Sequence, residues 1–97
     1  MTAFDPTAYK TTTHAQWQEA AKAWNDWGQV LDTWLGPETD AMLDMAGVRP
    51  GAHVLDVAAG AGAQSRGAAR RVGPTGRVLA SDISENILEF AAENARA

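Results

Sequence analysis

The segment VLDVAAGAG, residues 54–62, sets the strongest limit on the fold because a short apolar run passes directly into glycines. A helix-like segment, Ala63–Val72, follows, and a second apolar run, Arg77–Ser81, ends at Asp82. A strand, crossover helix and parallel strand connect with a right-handed turn in nearly all proteins. The pattern therefore predicts an α/β fold in which His53–Val57 and Arg77–Ser81 form two parallel strands.

Two helices are predicted ahead of this unit, and one after it. Thr13 and Gln16 have capping-box spacing, so residues 1–12 are interpreted as a loosely ordered arm. Gly36-Pro37 is expected to end the first helix and start the second, and Gly47 to be its left-handed C-cap. Ser84 is the predicted N-cap of the last helix. One apolar stripe is expected along the first helix: Trp17, Ala20, Ala21, Trp24, Trp27, Leu31, Trp34 and Leu35.

The composition excludes several classes of protein. A chain of 97 residues allows one small domain, and a net charge of −4 argues against non-specific nucleic-acid binding. Arg66, Arg70 and Arg71 are interpreted as a solvated helix face. Cysteine is absent, which excludes disulfides and thiolate chemistry. The N-terminus resembles no signal peptide and no apolar run is long enough for a membrane span, so a cytoplasmic location is expected.

The glycine-rich loop and Asp82 together indicate nucleoside binding. Gly60 and Gly62 allow a sharp turn and close approach of a ligand to the backbone. Asp82 lies 20 positions after Gly62, where a carboxylate at the end of the second strand meets a ribose diol. The alternatives stay open: the glycines serve only a tight turn, and Asp82 is a helix cap or a solvated acid.

The position of Asp56 favours one kind of nucleoside. Ser65 occupies the place of the third glycine in a dinucleotide-binding GxGxxG motif. A carboxylate at Asp56 would repel a pyrophosphate by about 1 kcal/mol even in water. The same carboxylate would attract an ammonium and a sulfonium group. The charge pattern therefore favours S-adenosylmethionine over a dinucleotide.

Three segments together resemble the N-terminal half of a class I S-adenosylmethionine-dependent methyltransferase: VLDVAAGAG, RVLASDIS and NILEFAAENA. They are similar to small-molecule enzymes of the ubiquinone/menaquinone-biosynthesis type. The resemblance implies that Asp56 helps hold the methionine amino group, often through water, and that Asp82 binds both ribose hydroxyls. It implies that Ile83 packs on the adenine and that the loop backbone lies against the cofactor, at Ala58, Ala59, Gly60 and Gly62. Ala58 departs from the family pattern, which most often has the first glycine there.

The resemblance also implies a division of the chain. Residues 13–47 would be an N-terminal helical segment, either simple packing or a lid on the acceptor side, and residues 48–97 a partial cofactor-binding βαβα unit. The family fold is Rossmann-like with a larger sheet, so the sheet is expected to be incomplete within this chain. We therefore expect either part of a longer enzyme or an assembly completed by a second copy.

The function predicted from these features is the S-adenosylmethionine-binding portion of a methyltransferase with a small-molecule acceptor. The alternative is a non-catalytic cofactor-binding module, or a truncated one that self-associates. His14 and His53 are isolated in the sequence, so no catalytic residue is named and no metal site is predicted. The identity of the acceptor does not follow from the sequence.

Overall fold

The computed structural model describes residues 3–97, so Met1 and Thr2 of the predicted arm lie outside the described residues. Four helices accompany a two-stranded parallel sheet, which confirms the predicted α/β fold. The elements in chain order are α1 (Pro6–Asp26), α2 (Gly28–Met45), β1 (His53–Val57), α3 (Ala63–Val72), a 3₁₀ turn (Gly73–Thr75), β2 (Arg77–Ser81) and α4 (Glu85–Arg96).

The strands β1 and β2 pair in parallel, with Leu55 opposite Leu79 and Val57 opposite Ser81. Both strands have the predicted bounds, because alternating apolar residues between strong turn signals define short strands locally. Helix α3 contacts both strands. Leu55, Val57 and Leu79 are 62%, 71% and 66% exposed, so the sheet carries an open apolar face.

Helix α1 begins earlier than the capping-box spacing at Thr13 predicts. The Asp5 carboxylate accepts hydrogen bonds from the backbone N–H groups of Thr7 and Ala8, and Pro6 occupies the first helical position. An aspartate cap followed by proline is a strong start signal. The prediction of a loosely ordered arm is therefore wrong for residues 6–12, which are helical.

The break between the N-terminal helices was also predicted at the wrong place. The chain leaves regular helix at Trp27, and α2 then runs without interruption through Gly36 and Pro37. An interior proline costs a helix about 3 kcal/mol, so tertiary contacts must offset it. Leu35 before the proline lines a cavity, and Leu43 after it is buried near Gly67 of α3.

Helix α2 ends as predicted. Gly47 has a φ of 70°, its N–H donates to the Asp44 carbonyl, and the Val48 N–H donates to the Leu43 carbonyl. These two bonds form a Schellman motif, in which glycine avoids the steric penalty of the left-handed conformation.

The arginines of α3 are not all solvated, contrary to the sequence interpretation. Arg71 donates a hydrogen bond to the Asp44 carboxylate of α2, and Arg66 lies 3.7 Å from the Asp32 carboxylate. Arg70 is exposed. The acidic partners come from a helix more than 25 residues away in the chain, so charge spacing within α3 does not reveal them.

Candidate functional site

The carboxylate of Asp82 joins the end of β2 to the glycine-rich loop. The backbone N–H of Gly60 donates to Asp82 Oδ2 over 3.0 Å, and the N–H of Ser84 donates to Oδ1 over 3.0 Å. A carboxylate has about four lone-pair sites, so roughly two remain for a ligand. Asp82 is half-buried and lines a cavity.

The loop between β1 and α3 turns through three residues with positive φ. The values are 58° at Ala58, 59° at Gly60 and 93° at Gly62. Ala58 therefore adopts the left-handed conformation that glycine takes without penalty, at a cost of about 1–2 kcal/mol. A Cβ on Gly62 would lie 3.3 Å from the Ala91 side chain, so this glycine also brings the loop close to α4.

Asp56 is directed toward α3. The Ser65 hydroxyl donates to Asp56 Oδ2 over 2.6 Å, and Asp56 is absent from the residues that line the cavity. Ser65, which occupies the third-glycine position of the dinucleotide motif, is thus the hydrogen-bond partner of the strand-end acid. The sequence interpretation gave Ser65 no role, because nothing in the spacing shows which way the Asp56 side chain turns.

A cavity of about 660 Å³ lies between the N-terminal helices and the carboxyl ends of the strands. Its volume is within the range of small-molecule sites, about 300–1,000 Å³. The loop and the end of β2 form one wall. Apolar side chains of α1 and α2 form the other: Trp17, Trp24, Leu31 and Leu35.

The single stripe of tryptophans expected from the sequence is divided in the structure. Trp17 and Trp24 line the cavity, and the centroids of their rings are 5.9 Å apart. Trp27 and Trp34 are 63% and 72% exposed and do not line it. Leu31 and Leu35 line the same cavity after the break at Trp27, so the stripe is divided between side chains at the cavity and two tryptophans beside them that are exposed to solvent.

The structure brings most of the predicted site residues to this cavity. Those that line it are Ala58, Ala59, Gly60, Asp82 and Ile83. Asp56 and Gly62 do not line it. Ala59 is buried, and its N–H donates to the Ser81 carbonyl over 2.9 Å, which fixes the loop on β2.

Polar side chains of α1 contact α4 and its N-cap, and the sequence analysis missed these contacts. Gln18 Oε1 accepts from the Ser84 hydroxyl over 2.6 Å and from the Asn86 N–H over 2.9 Å. His14 Nε2 lies 2.8 Å from Glu85 Oε2, and this hydrogen bond lowers the pKa of the Glu85 carboxyl. No local signal marks either pair, since the partners are about 70 positions apart in the sequence.

The described part of the chain, residues 3–97, has no group of three His, Asp or Glu side chains placed to hold a metal ion. None of its helices is both long and apolar enough to cross a bilayer. The cavity wall is mainly hydrocarbon and aromatic, with one carboxylate at the strand ends and another, Asp32, on α2.

Comparison with known proteins decides the family. Residues 49–97, half of the chain, match the family model described as "Methyltransferase domain". The chain belongs to this methyltransferase family. The matched segment contains the glycine-rich loop, Asp82 and Ile83, and the resemblance to class I methyltransferases of the ubiquinone/menaquinone type is confirmed.

Several curated relatives are proteins named ubiquinone/menaquinone biosynthesis C-methyltransferase UbiE. The protein of Burkholderia vietnamiensis is 54% identical over 46 residues, which are 47% of this chain and 19% of the relative. That of Ectopseudomonas mendocina is 47% identical over 47 residues, 48% of this chain and 18% of the relative. The protein of Hydrogenovibrio crunogenus is 46% identical over 46 residues, with shares of 47% and 18%. The matched segment thus spans under one fifth of these relatives.

Proposed function

We propose that this methyltransferase-family chain binds S-adenosylmethionine in the cavity and acts on a small-molecule acceptor. The observation that carries the proposal is the position of Asp82, whose carboxylate lines the cavity beside the left-handed backbone of Gly60. Names of the relatives support a methyl acceptor that is a small molecule.

Each proposed contact uses a different property of the cavity wall. The two spare lone pairs of Asp82 suit two adjacent hydroxyl donors, as in a ribose diol. Ile83 is 47% exposed and lines the cavity, so its side chain offers an apolar surface to an adenine ring. The backbone at Ala58, Ala59, Gly60 and Gly62 would lie along the ligand.

The proposed contact of Asp56 with the ligand spans a longer distance than the other proposed contacts. Its Oδ2 is already held by the Ser65 hydroxyl, and the residue lies behind the cavity wall. We therefore assign Asp56 a contact with the methionine amino group through water. Its other lone pairs suit a water that donates to the carboxylate and accepts from an ammonium.

When bound, S-adenosylmethionine supplies a methyl group on a sulfonium, which a nucleophile on the acceptor can take. The residues of this chain would bind and orient it, and positioning provides much of the acceleration in a reaction of this kind. Residues 13–47 would act as the lid, because Trp17 and Trp24 line the cavity and would shield a bound ligand from water. We assign no catalytic base, and the cytoplasmic location remains a prediction.

The proposal is tested by calorimetric titration with S-adenosylhomocysteine and with 5′-methylthioadenosine, which lacks the amino-acid part. Asp82→Asn is expected to weaken both ligands by about tenfold or more, the value of one charged hydrogen bond. Asp56→Asn should weaken only S-adenosylhomocysteine. Glu89→Gln removes an exposed carboxylate from α4 and is the control. Absence of binding of either ligand to the folded wild-type chain at millimolar concentration would refute the proposal.

A second candidate, a cofactor-binding module that self-associates, is favoured by the open sheet face. Leu55, Val57 and Leu79 form this apolar face, and exposed strands invite pairing with another chain. Light scattering coupled to size-exclusion chromatography tests it. A dimer that Leu79→Lys converts to monomer supports self-association, and a wild-type monomer at high concentration rules it out.

A further inference from the structure

We propose that Gln18 is a positioning residue, which couples the docking of α1 to the geometry of Asp82 and of the glycine-rich loop. The proposal rests on the function proposed above, because Asp82 is there the ribose-binding group. Gln18 does not line the cavity. It acts through Ser84, which is completely buried.

Three hydrogen bonds link Gln18 to the glycine-rich loop through Ser84 and Asp82. The Ser84 hydroxyl donates to Gln18 Oε1 over 2.6 Å, and the Ser84 N–H donates to Asp82 Oδ1 over 3.0 Å. The other oxygen of Asp82 accepts from the Gly60 N–H over 3.0 Å. One side chain of α1 is thus linked through a single residue to the carboxylate at the cavity, and through that carboxylate to the loop.

Gln18 also completes the N-terminus of α4. The first N–H groups of a helix have no partner within the helix. The Ser84 hydroxyl accepts from the Ile87 N–H over 3.1 Å, and Gln18 Oε1 accepts from the Asn86 N–H over 2.9 Å. The Asn86 side chain in turn donates to the Gln18 carbonyl over 3.2 Å. Two backbone N–H groups in the first turn of α4 therefore have acceptors outside the helix: the Ile87 N–H has the Ser84 hydroxyl, and the Asn86 N–H has the Gln18 side chain.

The neighbour of Gln18 explains why this link bears on ligand binding. Trp17 lines the cavity, whereas Gln18 contacts α4, so one position of α1 sets both contacts. If α1 moves away, the cavity loses an aromatic wall and Ser84 loses its acceptor in the same event. Binding free energies of linked events are reciprocal, so a ligand under α1 should also strengthen the Gln18 contacts.

Amide hydrogen exchange of the ¹⁵N-labelled full chain tests the link without any ligand. In Gln18→Leu, exchange at the Asn86 and Gly60 amides should accelerate about fivefold or more relative to the Val48 amide, the factor expected for one lost hydrogen bond. Val48 is a suitable reference because its N–H donates to the Leu43 carbonyl at the end of α2, away from the glycine-rich loop. Gln18→Glu keeps an acceptor of the same length and should restore protection. Gln16→Leu, on the same helix and exposed, is the matched control.

A purely structural Gln18 would give a different result. Asn86 would then exchange faster in Gln18→Leu while Gly60 kept its protection relative to Val48, and this outcome overturns the proposal. If Gln18→Leu fails to fold, Gln18→Asn takes its place. The side chain of asparagine is one methylene shorter, so its oxygen lies farther from Ser84 and Asn86, and the same outcomes support or overturn the proposal.

Titration with S-adenosylhomocysteine separates this proposal from the one on which it rests. A loss of affinity of about fivefold in Gln18→Leu, with none in Gln16→Leu, supports the coupling. Equal affinity of wild type and Gln18→Leu overturns it and leaves the proposed function intact. If the wild type binds no ligand but Gly60 exchange still responds to Gln18, the proposed function fails and the hydrogen-bonded link stands.

Discussion

The Asp82 carboxylate and the Gly60 N–H are joined by a hydrogen bond of 3.0 Å across 22 positions of the chain. The bond fixes the glycine-rich loop against the end of β2, and it uses the same side chain that is proposed to hold a ribose. Loop geometry and ligand contact therefore depend on one carboxylate, which makes Asp82 both a structural and a functional residue.

Asp82→Asn is expected to lower the free energy of unfolding by about 2 kcal/mol. The amide retains one oxygen, so one of the two backbone N–H groups at Gly60 and Ser84 faces a donor instead of a charged acceptor. Urea denaturation followed by circular dichroism measures the change. The control Glu89→Gln should shift the free energy by less than about 0.5 kcal/mol; an equal effect of the two substitutions would contradict the structural role.

Ala58→Gly is expected to stabilise the protein by about 0.5–1 kcal/mol. Relief of the left-handed conformation at φ 58° gains about 1–2 kcal/mol, and the greater freedom of glycine in the unfolded chain offsets about half. The matched control, Ala69→Gly in the exposed part of α3, should destabilise by about 1 kcal/mol because its conformation is ordinary helix. Urea midpoints that move in the same direction for both variants would refute the strain at Ala58.

Gly76→Ala is expected to destabilise the protein by about 2 kcal/mol or more. An added Cβ would lie 2.3 Å from the Val72 Cβ and 2.7 Å from the Ala52 carbonyl oxygen, and backbone atoms cannot move aside cheaply. Gly36→Ala meets nothing within 4 Å and lies inside α2, so it should not destabilise the protein, because alanine is favoured over glycine in a helix by about 0.5–1 kcal/mol. Thermal unfolding of the two variants, compared with wild type, decides whether the turn before β2 has this close contact.

The contact of His14 with Glu85 predicts a pH-dependent contribution to stability. The hydrogen bond from His14 lowers the Glu85 pKa from its ordinary value of 4.5 in the folded state. A lowered folded-state pKa contributes stability that is present above the unfolded value and lost as pH falls through the folded one. The melting-temperature difference between wild type and Glu85→Gln should therefore be larger at pH 5.5 than at pH 3.

The size of this difference is expected to be small, since both side chains are largely exposed and water screens the contact. Glu89→Gln, which removes another exposed carboxylate of the same helix, is the matched control. A wild-type advantage that stays constant between pH 3 and 5.5 would mean that the contact with His14 does not stabilise α1 on α4.

The predictions that were correct depend on signals within a few residues. The bounds of β1, α3 and β2, the cap at Ser84 and the left-handed Gly47 all follow from turn residues, alternation and caps. The wrong start of α1 also has a local cause, because the sequence contains two start signals, Asp5-Pro6 and the capping-box spacing at Thr13, and the helix begins at the first.

The βαβα unit, with Asp56 and Asp82 near the ends of its two strands, can be predicted from residues that are close together in the chain. Contacts between distant segments are needed to show that Asp56 turns to Ser65, that α2 continues through Pro37, and that Gln18 contacts Ser84. The physical reason is the range of the interactions. Caps, turns and alternation act between residues close in sequence, whereas side-chain direction and helix continuity are settled by contacts with partners up to 71 positions away.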